Sequence, residues 1–250
     1  MRRKMNLVID IGNSFMKVAV VAGNDIVATQ RVAVDSEIDV TGLKATYPTL
    51  QRAIVASSGV PTSEVASALR CEGLWVLEMN SLTPVPIGND YLSPATLGVD
   101  RLAAAVGVVE MGYDNCLIVD FGTAITIDFV ENGVFRGGNI SPGVRTRFRA
   151  LHDYTQRLPE CEPTDEILLL GRTTSQAIEQ GVMQGIENEI EGYISAFSKK
   201  NAKITLIFTG GDAKFFVKRI KNAIFAKCDP VVCGLNRILE YNAGIENKNL

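Results

Sequence analysis

An apolar run that stops at a carboxylate and a glycine turn occurs twice in this chain, and that duplication constrains its fold more than any other feature. The first copy is Leu7-Val8-Ile9 followed by Asp10-Ile11-Gly12-Asn13-Ser14; the second, about 110 residues later, is Leu117-Ile118-Val119 followed by Asp120-Phe121-Gly122-Thr123-Ala124. A short continuous apolar run marks a strand covered on both faces. The aspartate then emerges at the strand end, the glycine lets the backbone turn tightly, and small polar residues add hydrogen-bonding groups to exposed backbone donors, a combination that suits anions. One such turn has a purely local explanation, because turns favour Asp, Asn and Gly for their own backbone reasons. Two of them, one near the start of each half, point to hairpins facing each other across a cleft and holding a polyphosphate with its metal ion.

The residues after each turn support hairpins. Val18, Val20 and Val21 lie in the return of the first, and Ile125-Thr126-Ile127-Asp128-Phe129-Val130 alternates as a half-buried strand should in the second. A Walker-type loop or a dinucleotide fingerprint needs a helix after its glycines, and neither spacing occurs.

The 250 residues are enough for two compact domains, which the repeat favours, with boundaries at 1–113 and 114–250 and a join near residues 112–115. A hydrophobic content of 46% with 21% charged residues excludes extensive disorder. The net charge of −3 offers neither the basic stripe expected of a nucleic-acid binder nor a polybasic membrane patch. Met1-Arg2-Arg3-Lys4 begins like a secretory leader, but Asp10 and Asn13 interrupt the apolar stretch, and no segment approaches a membrane span. Five scattered cysteines without a C-x-x-C pair are expected as reduced thiols of a cytoplasmic protein, most of them core filler. The single histidine, His152, leaves little material for a zinc site or a Ser-His triad and reads as a surface residue.

Along the chain, a third strand over 26–34 completes a meander. Residues 53–56 and 74–77 read as short strands around a helix over 61–69. A meander followed by alternating helices and strands is the ribonuclease-H-like unit. Residues 82–98, with Pro84, Pro86 and Pro94, form a long loop of the kind that is usually functional. It runs into Gly98-Val99-Asp100-Arg101 and an Ala-rich helix over 102–111. Asp100 has a capping reading and Arg101 a surface ion-pair reading, beside a substrate-handling role for both. The second half repeats the plan with strands over 116–120, 124–130 and 134–137 and an Asn132-Gly133 hairpin turn. Residues 137–143, rich in glycine, are either folded around a ligand or a plain linker. A helix over 175–197 carries an apolar stripe for core or subunit contact. A strand over 204–208 ends in Thr209-Gly210-Gly211-Asp212, with helices expected from about Lys214 and over 236–243.

The two Asp-x-Gly hairpins, the Gly98-Val99-Asp100-Arg101 box, Gly138-x-Ile140-x-Pro142-Gly143 and the Thr209-Gly210-Gly211-Asp212 turn together resemble the type III pantothenate kinases. These belong to the acetate and sugar kinase, heat-shock chaperone and actin superfamily, and the similarity covers nearly the whole chain. It implies an α/β fold of two ribonuclease-H-like (actin-like ATPase) domains related by internal duplication. It implies ATP-dependent phosphorylation of pantothenate to 4'-phosphopantothenate, the first step of coenzyme A biosynthesis, by a cytoplasmic homodimer. By the same resemblance Asp10, Ile11, Gly12, Asn13, Ser14, Phe15, Met16, Lys17 and Thr123 bind ATP, and Asp120 binds a monovalent cation, potassium or ammonium. Tyr91, Gly98, Val99, Asp100, Arg101 and Thr174 meet pantothenate, with Asp100 as the proton acceptor. Ser14 departs from the family's usual threonine; the hydroxyl is kept and a methyl is lost.

The residues suit this chemistry, since phosphoryl transfer needs positioning, charge neutralisation and a base. Asp10 is placed to hold the magnesium of ATP-Mg, directly or through water. Arg101 has two open roles, the pantothenate carboxylate or the transferring charge. The rivals are another small-molecule kinase or phosphatase of the superfamily and a non-catalytic nucleotide-binding regulator; an intact Asp10, Asp100 and Asp120 set argues against the latter.

Overall fold

A computed structural model describes residues 4–12, 15–199, 204–221, 223–226 and 228–246. The chain begins with β1 (Met5–Ile11), β2 (Phe15–Ala22) and β3 (Asp25–Ala33), then α1 (Val40–Thr46), β4 (Leu50–Ser57), α2 (Ser63–Cys71) and β5 (Trp75–Glu78). A two-residue strand, β6 (Gly88–Asn89), and α3 (Val99–Glu110) come after these. Next are β7 (Cys116–Phe121), β8 (Ala124–Glu131), β9 (Val134–Pro142), α4 (Val144–Asp153) and α5 (Thr174–Ser198). The order closes with β10 (Thr205–Thr209), β11 (Ala223–Phe225) and α6 (Pro230–Glu246).

The chain packs as two units, each with its own sheet. The first takes the described residues of Met1–Asp114, Gly133–Phe135 and Cys228–Leu250; the second takes Asn115–Asn132 and Arg136–Lys227. This corrects the division at 113/114, which left the closing helix in the second half.

In the first unit the sheet runs β3-β2-β1-β4-β5, with β1, β2 and β3 antiparallel and β1, β4 and β5 parallel. Leu7, Val8 and Ile9 are all fully buried, as a run without alternation requires. Leu7, Ile9, Val18 and Val55 face α1 and α2 residues such as Val40, Ala66 and Leu69 in one cluster. The opposite face is covered by α6, which packs on β1, β4 and α3. The α3–α6 crossing is unusually close: a Cβ built on Gly107 would lie 2.9 Å from the backbone nitrogen of Gly234, and one built on Gly234 would lie 2.8 Å from that of Gly107.

The second sheet runs β11-β10-β7-β8-β9 with the two-residue β6 at its edge, so, β6 aside, both sheets read from the meander have the order third, second, first, fourth, fifth. That shared topology is the duplication expressed in strand order. β7 and β8 are antiparallel, and β10 pairs in parallel with β7 and β11. Ile178, Val182, Ile186 and Ile190 of α5 are buried against Leu117, Val119 and Ile127, so these four residues of the stripe form core. The first two residues of β9, Val134 and Phe135, pack with the first unit, where they pair in parallel with β6.

Three local expectations change. The helix expected from Lys214 is only a 3-10 turn, Ala213–Phe215, continued by turns. Phe216 stacks on Phe121, ring centroids 4.8 Å apart, and anchors that segment against the core. The closing helix is longer than the expected 236–243 because it begins at Pro230. α1 has no counterpart among the elements expected from sequence.

Candidate active site

In the first hairpin Asp10 stands opposite Lys17 and Ile11 opposite Met16, and the Gly12 N–H donates to the Phe15 carbonyl over 3.0 Å to close the turn. Asn13 and Ser14 lie outside the described residues. Ile11 and Met16 are buried in the core, so any ATP contact they make is by backbone. Phe15 is half exposed, with the Arg31 guanidinium 4.8 Å from its ring centroid.

Lys17 crosses to α6, where its ammonium pairs with the Asp229 carboxylate. Asp229 also caps that helix, accepting from the Val231 and Val232 N–H groups over 3.0 and 3.3 Å. Burial pushes the Asp10 carboxyl up from 3.8 to about 6; Lys17 opposes the shift, while the negative charges of Asp100 and Asp229 add to it. Asp10, Lys17, Asp100 and Asp229 thus form one electrostatic group within the first unit.

Asp100 is the second residue of α3, so it is not the cap. Gly98 takes that position, and the reason it is glycine is visible: a Cβ there would lie 2.5 Å from Asp100 Oδ1. The missing side chain leaves room for the carboxylate, which accepts from the Arg101 N–H over 2.9 Å. A carboxylate in the first helical turn is also favoured by the helix dipole.

Arg101 is 6% exposed, which removes the surface ion-pair reading. Its guanidinium lies 5.7 Å from the Tyr91 ring centroid and 5.9 Å from that of Phe135. The pairing of β6 with β9 brings these rings together, the Asp90 N–H donating to the Phe135 carbonyl over 2.9 Å. The loop over 82–98 thus carries Tyr91 beside the Arg101 guanidinium.

In the second unit Asp120, the last residue but one of β7, stands opposite Thr126, and the Gly122 N–H donates to the Ala124 carbonyl over 3.1 Å, closing a hairpin like the first. Exposed Thr123 has its carbonyl held by the Gly143 N–H at 3.0 Å and the Thr146 hydroxyl at 2.7 Å. The 137–143 stretch is thus strand β9 running into the α4 cap, not a plain linker. Gly210 has φ +91°, and a Cβ on it would lie 2.5 Å from the Phe121 nitrogen, so the Gly-Gly turn lies directly on the hairpin. Burial raises the Asp212 carboxyl, opposed by Arg145 and Lys214 and reinforced by Glu162. Thr174 opens α5 and lines a cavity of 670 Å³ with Arg147, Tyr154 and Ile178.

Among the described residues no cluster of three or more His, Cys, Asp or Glu side chains is arranged to hold a metal. A magnesium ion brought in on nucleotide phosphates needs no more than one or two protein carboxylates. Asp10 suits that part, because its carboxyl is pushed up mainly by burial and further by the charges of Asp100 and Asp229, and a bound cation would favour its ionised form. A Cβ built on Gly210 would lie 2.4 Å from Asp120 Oδ1, so the Asp120 carboxylate lies against the Gly210 backbone.

Asp229 and Phe135 are absent from the sequence-derived site. Asp229-Pro230, a cap residue ahead of a helix-starting proline, was a readable signal for the first. Phe135 carried none, since its role depends on the β6 pairing.

Comparison with known proteins bears directly on this arrangement. The family profile of type III pantothenate kinase matches residues 6–196. The type III pantothenate kinase of Phocaeicola vulgatus is 40% identical over 241 residues, 95% of this chain and 99% of that one. That of Bacteroides fragilis is 41% identical over 245 residues, 96% and 99% of the two chains. Among solved structures, a Baf family protein of Campylobacter jejuni aligns with a TM-score of 0.63 at 23% identity, covering 95% of this chain and 99% of that one. The activator of 2-hydroxyisocaproyl-CoA dehydratase from Clostridium difficile, with bound ADPNP, aligns with a TM-score of 0.53 at 16% identity over 99% and 98% of the two chains. The structural likeness carries the actin-like ATPase fold, and the full-length sequence identity carries the narrower assignment: this chain belongs to the type III pantothenate kinase family.

Proposed function

We propose that this protein transfers the γ-phosphoryl group of ATP to the primary hydroxyl of pantothenate, giving 4'-phosphopantothenate at the entry to coenzyme A biosynthesis. Family membership supports the reaction. The observation that carries the residue assignment is the placement of Asp100 by Gly98 in the same electrostatic group as Asp10.

Asp100 accepts the proton of the attacking hydroxyl, a contribution of ~10²–10⁴-fold. Arg101, held over two rings, meets the pantothenate carboxylate, with Tyr91 fixing its direction. Gly98 and Val99 shape the backbone entering the helix, and Thr174 adds a hydroxyl. The ATP-binding residues are Lys17, the backbone of the first hairpin over residues 10–17, and Thr123. Asp10 would hold magnesium, which would supply neutralisation of phosphate charge, and Asp120 would hold potassium or ammonium, which would supply further charge screening.

We also read the protein as a cytoplasmic homodimer. Exposed Tyr154, Ile167, Leu169 and Leu170 of the second unit provide apolar surface for subunit contact, and Tyr154 lines the same cavity as Thr174. No described helix is long and apolar enough to cross a membrane.

A coupled assay of ADP release tests the reading. Release should require pantothenate and should rise when sodium is replaced by potassium. Equal release without pantothenate would overturn the kinase assignment; full activity in sodium alone would remove the cation role.

A further inference from the structure

We propose that Cys228 and Cys233 are a hydroperoxide-sensitive dithiol that closes to a disulfide and thereby loosens the hold of Asp229 on Lys17. The two sulfurs are 2.9 Å apart and hydrogen-bonded, and both thiols are partly exposed. They line a cavity of 480 Å³, in which the Met111 sulfur lies 3.9 Å from Cys228 Sγ. That cavity gives a small oxidant a path. The other thiols are differently placed: Cys116 and Cys161 are buried, and Cys71 is exposed.

The chemistry divides between the two sulfurs. Cys233 is held in the first turn of α6 and burial pushes its thiol up, whereas Cys228 lies ahead of the helix on the cavity, so Cys228 is assigned as the attacking sulfur. Cys228 sulfur attacks one oxygen of hydrogen peroxide, the O–O bond breaks, and water leaves behind a sulfenic acid. Cys233 sulfur then attacks Cys228 sulfur, the S–O bond breaks, and the hydroxyl departs as a second water carrying the Cys233 proton. Two thiols are oxidised and one peroxide is reduced.

Closure must bring the sulfurs to about 2.05 Å. Cys233 is fixed in the first turn of α6, where its N–H donates to the Asp229 carbonyl over 3.0 Å. Cys228 precedes the helix and has more freedom, so the shift falls on its side. Asp229 is the next residue, and its carboxylate both caps α6 and holds Lys17. The thiol chemistry is independent of the kinase reading, whereas its effect on nucleotide rests on that reading.

The full-length protein, treated with hydrogen peroxide and then with dithiothreitol, provides the test. Intact mass should fall by two hydrogens, the loss should map to a peptide linking Cys228 to Cys233, and dithiothreitol should restore it. ATP affinity, measured by calorimetry, should weaken about fivefold on oxidation, the factor for ~1 kcal/mol of ion pairing, and recover on reduction. Cys228→Ser and Cys233→Ser should each abolish both changes, and Cys71→Ser neither. Oxygen adducts without hydrogen loss, or a disulfide that leaves ATP affinity unchanged, would overturn the proposal. A reduced protein that releases no ADP with pantothenate would instead count against the kinase reading alone.

Discussion

Lys17 stands opposite Asp10 in the β1–β2 ladder, yet its ammonium is paired with Asp229 at the start of α6. The lysine is therefore shared between two carboxylates, and Asp10 keeps a pKa near 6 because burial and the charges of Asp100 and Asp229 outweigh what Lys17 returns.

Replacing Asp229 by Asn removes one of those charges and leaves Lys17 to Asp10. Both effects lower the Asp10 pKa, so the acid limb of kcat/KM for ATP should move below pH 6. Asn caps helices as well as Asp, so the melting temperature should change little. A limb that stays near 6 would detach Asp229 from the site.

Asp10→Asn should stabilise the protein in a pH-dependent way. The folded-state value of about 6 lies above the ordinary 3.8, so the folded state binds the proton more tightly, and stability falls as pH rises from about 3.8 to 6. The difference corresponds to roughly 3 kcal/mol above that window. Urea denaturation should show the variant more stable at pH 8 by ~1–3 kcal/mol, with the advantage gone at pH 4. Equal stability at both pH values would contradict the shift.

Asp100→Asn should cut turnover by at least ~10²-fold with folding and ATP binding intact. Gly98→Ala makes a complementary test. The atom its methyl meets is a carboxylate oxygen that is free to swing away, and the Gly98 φ of −57° suits alanine. Stability should change by less than ~1 kcal/mol while turnover falls, because the base is displaced. Unimpaired Gly98→Ala turnover would show that the Asp100 position is not critical.

Gly210→Ala should behave in the opposite manner. Its φ of +91° strains any side chain, and the methyl would meet the Phe121 backbone nitrogen at 2.5 Å, which has no rotamer to escape by. A loss of ~3 kcal/mol or more is expected in urea denaturation. A loss under ~1 kcal/mol would mean that the turn relaxes without cost.

Where the sequence was legible, local chemistry and tertiary packing agreed. Leu7, Val8 and Ile9 read as a doubly covered strand and are one, and Asn132-Gly133 forms its turn with φ of +51° and +70°. α1 escaped notice because it is short, with Gly42 and β-branched Val40 and Thr41 among its seven residues. The first turns of α6 were hidden for a similar reason: Val231, Val232 and Gly234 are poor helix formers, and packing on α3 overrides their preference. The segment from Lys214 shows the reverse, an expected helix that the structure replaces by a 3-10 turn and further turns, with Phe216 stacked on Phe121. In the site, residues that act through their own local motif were visible, as Gly98 and Asp100 were. Phe135 and Asp229 act through partners about 34 and 212 residues away, Arg101 and Lys17, which no local pattern encodes.

The glycine crossing of α3 and α6 has a mechanical consequence. α3 carries Asp100 in its first turn, and α6 begins at the residue after Asp229. With backbone on backbone at Gly107 and Gly234, no side chain lies there to flex or change rotamer. The spacing between the two helices is thus a gauge cut by atomic radii, insensitive to the rotamer motion that softens ordinary helix contacts. One methyl at either glycine would act as a shim: it would leave the side chains of the first unit chemically unchanged and shift Asp100 relative to the Lys17–Asp229 pair.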